Sequence, residues 1–219
     1  MGGSVFSEKP DLNRLKGFAN VLSRLHEKGN RIVVVTGGGN CARRYIEVAR
    51  ALGSNEAICD LIGIYSSRLN ANLLIVALGD LAYPDVPTSI ERMRVCVTSE
   101  RIVVMGGLQP AQSTDAVASI VAEAISSDRF VKVTNAPGVC TKDPRKYPDA
   151  KKLDEIEVEA FLRLVSESSI SAGAYELMDP VAIRVVQRSK LRTWIVSADD
   201  PANIVRAVNE EKVGTRITF

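Results

Sequence analysis

The chain has 219 residues, 46% of them apolar and 25% charged, with a formal net charge of +2. This is the balance of a globular α/β domain or of two lobes, and it excludes a global field that would draw the chain to nucleic acid or an anionic membrane. No apolar run reaches the length needed to span a bilayer, Met1–Phe6 lacks the pattern of a leader, and Cys41, Cys59, Cys96 and Cys140 are scattered without a C-x-x-C pair, so a cytoplasmic protein with reduced cysteines is expected.

In chain order, Leu12–Lys28 has the apolar period of an amphipathic helix, stopped by Gly29-Asn30. Arg31–Thr36 is a β-branched run suited to a buried parallel strand, followed by Gly37-Gly38-Gly39 and a helix over Ala42–Leu52. Ile58–Leu78 predicts a long, largely buried helix. Arg101–Met105 predicts a second buried strand, followed by Gly106-Gly107, and Ser113–Ser126 a helix capped by Ser113 or Thr114. Phe130–Thr134 is a third strand, and the polar, proline-broken Val139–Leu153 a hairpin or loop. Helices over Glu157–Val165 and Asp179–Ser189 precede a strand at Arg192–Ser197. A helix over Pro201–Glu211 and an edge strand at Thr215–Phe219 end the chain. The alternation predicts a mainly parallel sheet between helices.

The glycines carry the chemistry. Ligands of such sheets bind beyond the carboxyl ends of the strands, and both internal strands end in glycines there, with a third group at Gly2-Gly3-Ser4. Glycine lets backbone N–H groups approach an oxyanion, and a helix starting just afterwards adds the positive end of its dipole. Three such turns predict several phosphates. No Walker-type motif is present. Gly37–Ala42 fits G-x-G-x-x-A, but the acid at a dinucleotide spacing, Asp60, opens a helical pattern instead of closing a strand. Dinucleotide binding and ligand-free tight turns stand as alternatives. His26, far from every glycine turn, is expected to be solvated or packed.

Gly-Gly-Ser at 2–4, Val-Thr-Gly-Gly-Gly-Asn-Cys-Ala-Arg-Arg-Tyr at 35–45 and Asp-Leu-Ile-Gly-Ile-Tyr-Ser-Ser-Arg-Leu-Asn-Ala at 60–71 resemble archaeal uridylate kinases of the amino acid kinase family. So do Met-Gly-Gly-Leu-Gln-Pro-Ala-Gln-Ser-Thr-Asp-Ala-Val-Ala at 105–118, Val-Thr-Asn at 133–135 and Lys-Asp-Pro-Arg-Lys-Tyr at 142–147. The resemblance covers the whole chain. It implies a three-layer α/β/α sandwich with a mainly parallel central sheet, a UMP-binding lobe at about 1–125 and an ATP-binding lobe at about 126–219. It implies transfer of the γ-phosphoryl of ATP to UMP, with Mg2+, by a homohexamer. Arg43 and Asp115 are the implied catalytic residues. UMP is assigned to Gly38, Asp60, Leu108, Gln109, Pro110, Ala111, Gln112, Ser113 and Thr114. ATP is assigned to Gly3, Ser4, Gly39, Arg43, Thr134, Asn135, Cys140 and Asp143. Asp60 is expected to accept ribose hydroxyls, cap the following helix, or both. Arg43, read as lying in the first helical turn, is expected to clamp phosphate.

Two departures from that family stand out. Its members begin with a strand ahead of Gly-Gly-Ser, often ending in lysine, so the natural start is expected upstream of Met1. Cys140 takes the place of an aromatic ring, with weaker ATP stacking expected. Another kinase of the superfamily and a non-catalytic nucleotide-binding storage or regulatory protein on the same fold are the competing readings.

Overall fold

Alternating helices and strands divide at Val117 into two units, Met1–Val117 and Ala118–Phe219. The computed structural model describes residues 1–2, 5–6, 11–144, 147–168 and 177–219.

The first unit is built on a pair of short, wholly apolar strands. β1 (Val33–Val35) lies parallel to β2 (Val103–Met105), with Val33 opposite Val103 and Val35 opposite Met105. Pairing runs beyond the strands: Val103 N–H donates to Ile32 O at 3.1 Å and Thr36 N–H to Met105 O at 2.8 Å. The Met1 ammonium donates to Val35 O at 2.7 Å, and Gly37 N–H donates to Met1 O at 3.1 Å, on the edge of β1 turned away from β2.

α1 (Leu12–Glu27) starts at Asp11, whose carboxylate accepts from Asn13 and Arg14 N–H. Its Ala19 and Leu22 pack with Ala71, Leu74 and Leu78 of α3 (Glu56–Leu78) over Val34, Ile102 and Val104. Each such aliphatic side chain taken fully out of water contributes about 1.5–3 kcal/mol. His26 is half-buried near the end of α1, with Nδ1 3.3 Å from Asn30 O, as the expectation of a packed histidine requires. α2 (Gly39–Ala51) lies against α3, and α4 (Ile90–Val97), absent from the sequence-based expectation, lies against β2 through Met93 and Cys96.

One expectation needs correction. The stretch Glu56–Leu81, α3 and the turn after it, has the length (26 residues) and mean hydropathy (1.4) of a membrane-crossing helix. Unbroken apolar runs conceal this because Asp60, Ser66, Ser67, Arg68, Asn70 and Asn72 interrupt the stretch. In the structure α3 buries one face, with Leu74 and Ala71 fully buried, while Ile58, Tyr65, Leu69 and Val76 stay exposed, so it is less buried than the sequence predicts.

α5 (Thr114–Ala124) spans the division and is capped by Ser113, whose Oγ accepts from Ala116 N–H at 3.0 Å. The second unit then has β3 (Phe130–Thr134), β4 (Glu155–Glu157), α6 (Val158–Ser168), α7 (Pro180–Ser189), β5 (Thr193–Ser197), α8 (Ala202–Val208) and β6 (Thr215–Thr218). The sheet order is β3-β5-β6-β4. β3 and β5 are parallel, β4 and β6 are parallel, and β5 and β6 are antiparallel.

The terminal strand is therefore interior, correcting its expected place at the edge. Thr215 is fully buried and Ile217 nearly so. The edge falls to Glu155-Ile156-Glu157, whose charges blunt it against pairing with another chain. Ile195 and Ile217 face a core made with Phe161 and Val165 of α6 and Ile183 and Val186 of α7. Of the hairpin or loop expected over 139–153, the described ends pair as a hairpin does, with Leu153 N–H bonded to Val139 O at 2.8 Å and Thr141 N–H to Lys151 O at 2.9 Å.

Candidate functional site

Because β1 and β2 are parallel and in register, their glycine turns leave the same edge of the first sheet. α3 holds both from one side. Asn70 Nδ2 donates to Gly37 O at 2.8 Å and Ser66 Oγ to Gly38 O at 3.0 Å. Ser67 Oγ donates to Ile64 O at 2.7 Å and accepts from Gly107 N–H at 2.8 Å. The fully buried Thr36 Oγ1 lies 2.8 Å from Ser67 O and 3.2 Å from Met105 O, joining both strand ends to the helix. Arg68 donates from Nε to Gly107 O at 3.1 Å and from a terminal nitrogen to Leu108 O at 3.2 Å.

These contacts explain the glycines. A Cβ on Gly38 would lie 2.5 Å from the Ala42 Cβ and 3.1 Å from Gly63 O. On Gly106 it would lie 2.8 Å from Arg68 N and 2.9 Å from Ser67 C. Gly39 has φ +68°, a left-handed conformation in which L residues are strained. α2 follows with no side-chain cap at Gly38, so the N–H groups of its first turn lack the usual internal acceptor.

Ser66, Ser67, Arg68 and Asn70 carry the pinning, and the motif gave them no roles. Their signal in the sequence is a polar cluster within two turns of an otherwise apolar helix.

Asp60 sits in the second turn of α3, so it is not the cap; Asn55 is, accepting from Ile58 N–H at 3.0 Å. The Asp60 Oδ2 instead accepts from Ala111 N–H at 2.8 Å, in the loop after β2, where Ala111 has φ +62°. α3 thus binds residues 107–111 at both ends. Of that loop, Leu108, Pro110 and Gln112 are half-buried, while Gln109, Ala111 and Ser113 are exposed. Thr114 and Asp115, both half-buried, open α5. Arg43 is exposed on α2 and, as the fifth residue of that helix, lies one position beyond its first turn. Through α3 these bonds join Gly38, Asp60 and the stretch 107–111; among the described residues no bond ties Arg43 to them.

In the second unit Thr134 closes β3 and gives its carbonyl to Ala198 N–H at 2.7 Å. Asn135 follows, exposed. Asp143 is buried, and its carbonyl accepts from Tyr147 N–H at 2.9 Å. Cys140 is 2% exposed and packed in the core that contains Phe161, so its thiol offers little surface to a ligand. The buried Thr215 Oγ1 accepts from Val139 N–H at 2.8 Å and donates to Leu153 O, tying the hairpin to β6. Gly3 and Ser4 lie outside the described residues.

A 510 Å³ cavity elsewhere in the second unit is lined by Asp154, Glu155, Trp194 and Arg216, among others, and contains none of the predicted residues.

Residues 1–197 match the sequence model of the amino acid kinase family. The chain is 44% identical over 217 residues to the uridylate kinase of Methanothermobacter thermautotrophicus, covering 99% of this chain and 96% of that one. It is 47% identical over 217 residues to the uridylate kinase of Hyperthermus butylicus, covering 99% and 95%. Among solved structures it is similar to uridylate kinase from Archaeoglobus fulgidus, with a TM-score of 0.90, 38% identity and coverage of 100% and 97%. UMP kinase from Bacillus anthracis, at 23% identity and a TM-score of 0.82, shares the fold.

Proposed function

The chain belongs to the amino acid kinase family, and from that premise we propose that it transfers the γ-phosphoryl group of ATP to UMP. An oxygen of the UMP phosphate attacks the γ-phosphorus, the bond to the β,γ-bridging oxygen breaks, and UDP and ADP result. The observation that carries this reading is the pair of glycine turns at one sheet edge, both pinned by α3, in a chain 44–47% identical to archaeal uridylate kinases.

Such a reaction needs positioning and charge neutralisation rather than a covalent intermediate. Gly38, Leu108, Gln109, Pro110, Ala111, Gln112, Ser113 and Thr114 hold UMP, and Asp60 accepts from the ribose through the oxygen that Ala111 leaves open. Gly3, Ser4, Gly39, Arg43, Thr134, Asn135, the backbone of Cys140, and Asp143 take ATP. Arg43 places a delocalised cation on the transferred group, and its exposure leaves it free to swing there.

A divalent ion, Mg2+, would neutralise the phosphate oxygens. Asp115, at the start of α5, would orient the neighbouring hydroxyl and N–H donors or hold such an ion through water. The enzyme works in the cytoplasm as a homohexamer. Supporting self-association, Tyr45 and Val48 of α2, Leu52 just after it, and Ile58, Tyr65, Leu69 and Val76 of α3 are large apolar residues left exposed.

The test is ADP formation from ATP with UMP, CMP or dUMP as acceptor. Turnover with UMP is expected. Nucleotide binding with no ADP formed would overturn the reading. Arg43→Ala should lower kcat/KM by on the order of 100-fold, or about 2.7 kcal/mol of transition-state stabilisation, while leaving thermal unfolding unchanged because the side chain is exposed.

A further inference from the structure

Arg68 is half-buried on α3, and no role has been given to it in the reaction proposed above, on which this inference rests. Its guanidinium donates to two consecutive carbonyls, Gly107 O at 3.1 Å and Leu108 O at 3.2 Å. In a planar trans peptide the carbonyl and the following N–H point in opposite directions. Fixing these two oxygens toward Arg68 therefore turns the N–H groups of Leu108 and Gln109 away from it, as two successive donors. No bond to either N–H is recorded among the described residues, whereas the flanking N–H groups of Gly107 and Ala111 are taken by Ser67 and Asp60. Two open donors held between two occupied ones make an anion-binding concavity of backbone N–H groups.

We propose that Arg68 is a positioning residue: by holding the Gly107 and Leu108 carbonyls, it presents the Leu108 and Gln109 N–H groups to the phosphate of UMP. It is not a catalytic residue in this role, since it acts through the loop and not on the reacting atoms. A planar fork reaches two carbonyls of adjacent peptides at once, which a lysine ammonium on its flexible stem does less well. The bond pattern also explains why an arginine occupies this place in an otherwise apolar helix.

The prediction separates phosphate recognition from recognition of the nucleoside. Affinities of UMP and of uridine would be measured by calorimetry for the wild type, Arg68→Met and Arg68→Lys, with ATP affinity as a reference. Arg68→Met should weaken UMP about tenfold and leave uridine and ATP within about twofold, with Arg68→Lys in between. Equal weakening of UMP and uridine would reduce Arg68 to a general prop of the loop, and unchanged UMP affinity would remove it from recognition; either result overturns the proposal. Should Arg68→Met not fold, Arg68→Lys decides by the same criterion. A threefold or greater loss confined to UMP supports the proposal, and an equal or absent loss overturns it. Wild-type protein that binds neither UMP nor uridine would instead overturn the substrate reading, before any variant is compared.

Discussion

At the scale of single residues, the site is governed by how closely two strand ends approach one helix. Gly106 shows the tolerance. An added Cβ meets backbone atoms of Ser67 and Arg68 at 2.8–2.9 Å, and backbone within a helix cannot swing aside as a side-chain tip can. Gly106→Ala should therefore destabilise the protein by about 1–3 kcal/mol through overpacking, read as a lower denaturant midpoint with unchanged slope. Gly29→Ala is the control. It has φ +85° but nothing within 4 Å of the new methyl, so its cost is conformational strain alone, about 1 kcal/mol. Equal midpoints for Gly106→Ala and wild type would refute the close approach. The glycines themselves were legible, because strand-glycine-helix is a local pattern. Their partners Ser66, Ser67, Arg68 and Asn70 were not, since helical periodicity says which face is buried but not that a buried hydroxyl serves a backbone group 40 residues away. Cys140 failed in the opposite direction: a place in a motif cannot say that a side chain turns into the core.

At the scale of elements, the strongly apolar strands and the long helices were readable. Two short ones, the three-residue β4 and the eight-residue α4, were not. β4 is three residues, Glu-Ile-Glu, made a strand by the register of β6 beside it. Just before it, Asp154 binds Lys152 at 2.8 Å and Lys212 at 2.6 Å, and Lys152 also donates to Gly214 O, so this cluster fastens the hairpin to the turn entering β6. The two ammonium groups hold the Asp154 carboxyl down from its usual 3.8 to about 2. A folded value below the unfolded one means that the unfolded chain binds the proton more readily. The contribution to stability is then complete above about pH 4 and is lost as pH falls toward 2. Asp154→Asn should flatten the acid-unfolding curve in that window and lower stability at pH 7 by the same amount, a small one because the group is solvent-exposed and screened. Added salt should reproduce part of the effect in the wild type. Identical wild-type and Asp154→Asn curves between pH 4 and 2 would show that the cluster contributes nothing.

At the scale of the whole molecule, alternation alone pointed to a mainly parallel α/β protein, but it could not say that the described strands form one sheet of two and another of four, since strand order is set by crossovers rather than by local pattern. The proposed assembly is tested at the surface. Along α3, Ile58, Ile62, Tyr65, Leu69, Asn72 and Val76 recur every four and three residues, the spacing of a helix-packing seam. α2 runs antiparallel beside it, as the Gly38–Ser66 and Arg50–Glu56 contacts require, and its Tyr45, Val48 and Leu52 keep the same helical spacing. Seven of these residues, Tyr45, Val48, Leu52, Ile58, Tyr65, Leu69 and Val76, are large, apolar and 45–82% exposed, and together they present on the order of 800 Å² at ~100–150 Å² each, about what one partner gives to a stable interface. A face that is the same on every copy closes by two-fold symmetry, and a hexamer then needs a second contact elsewhere. Leu69→Glu places a charge at 59% exposure, harmless to the isolated chain but buried once two copies meet. Light scattering should give six chains for the wild type and a smaller species for Leu69→Glu, with a thermal midpoint that falls with dilution. Leu12→Glu, equally exposed on α1, should keep the full assembly. A wild type that stays monomeric at micromolar concentration, or a Leu69→Glu variant of unchanged mass, would assign that face to something other than a second copy.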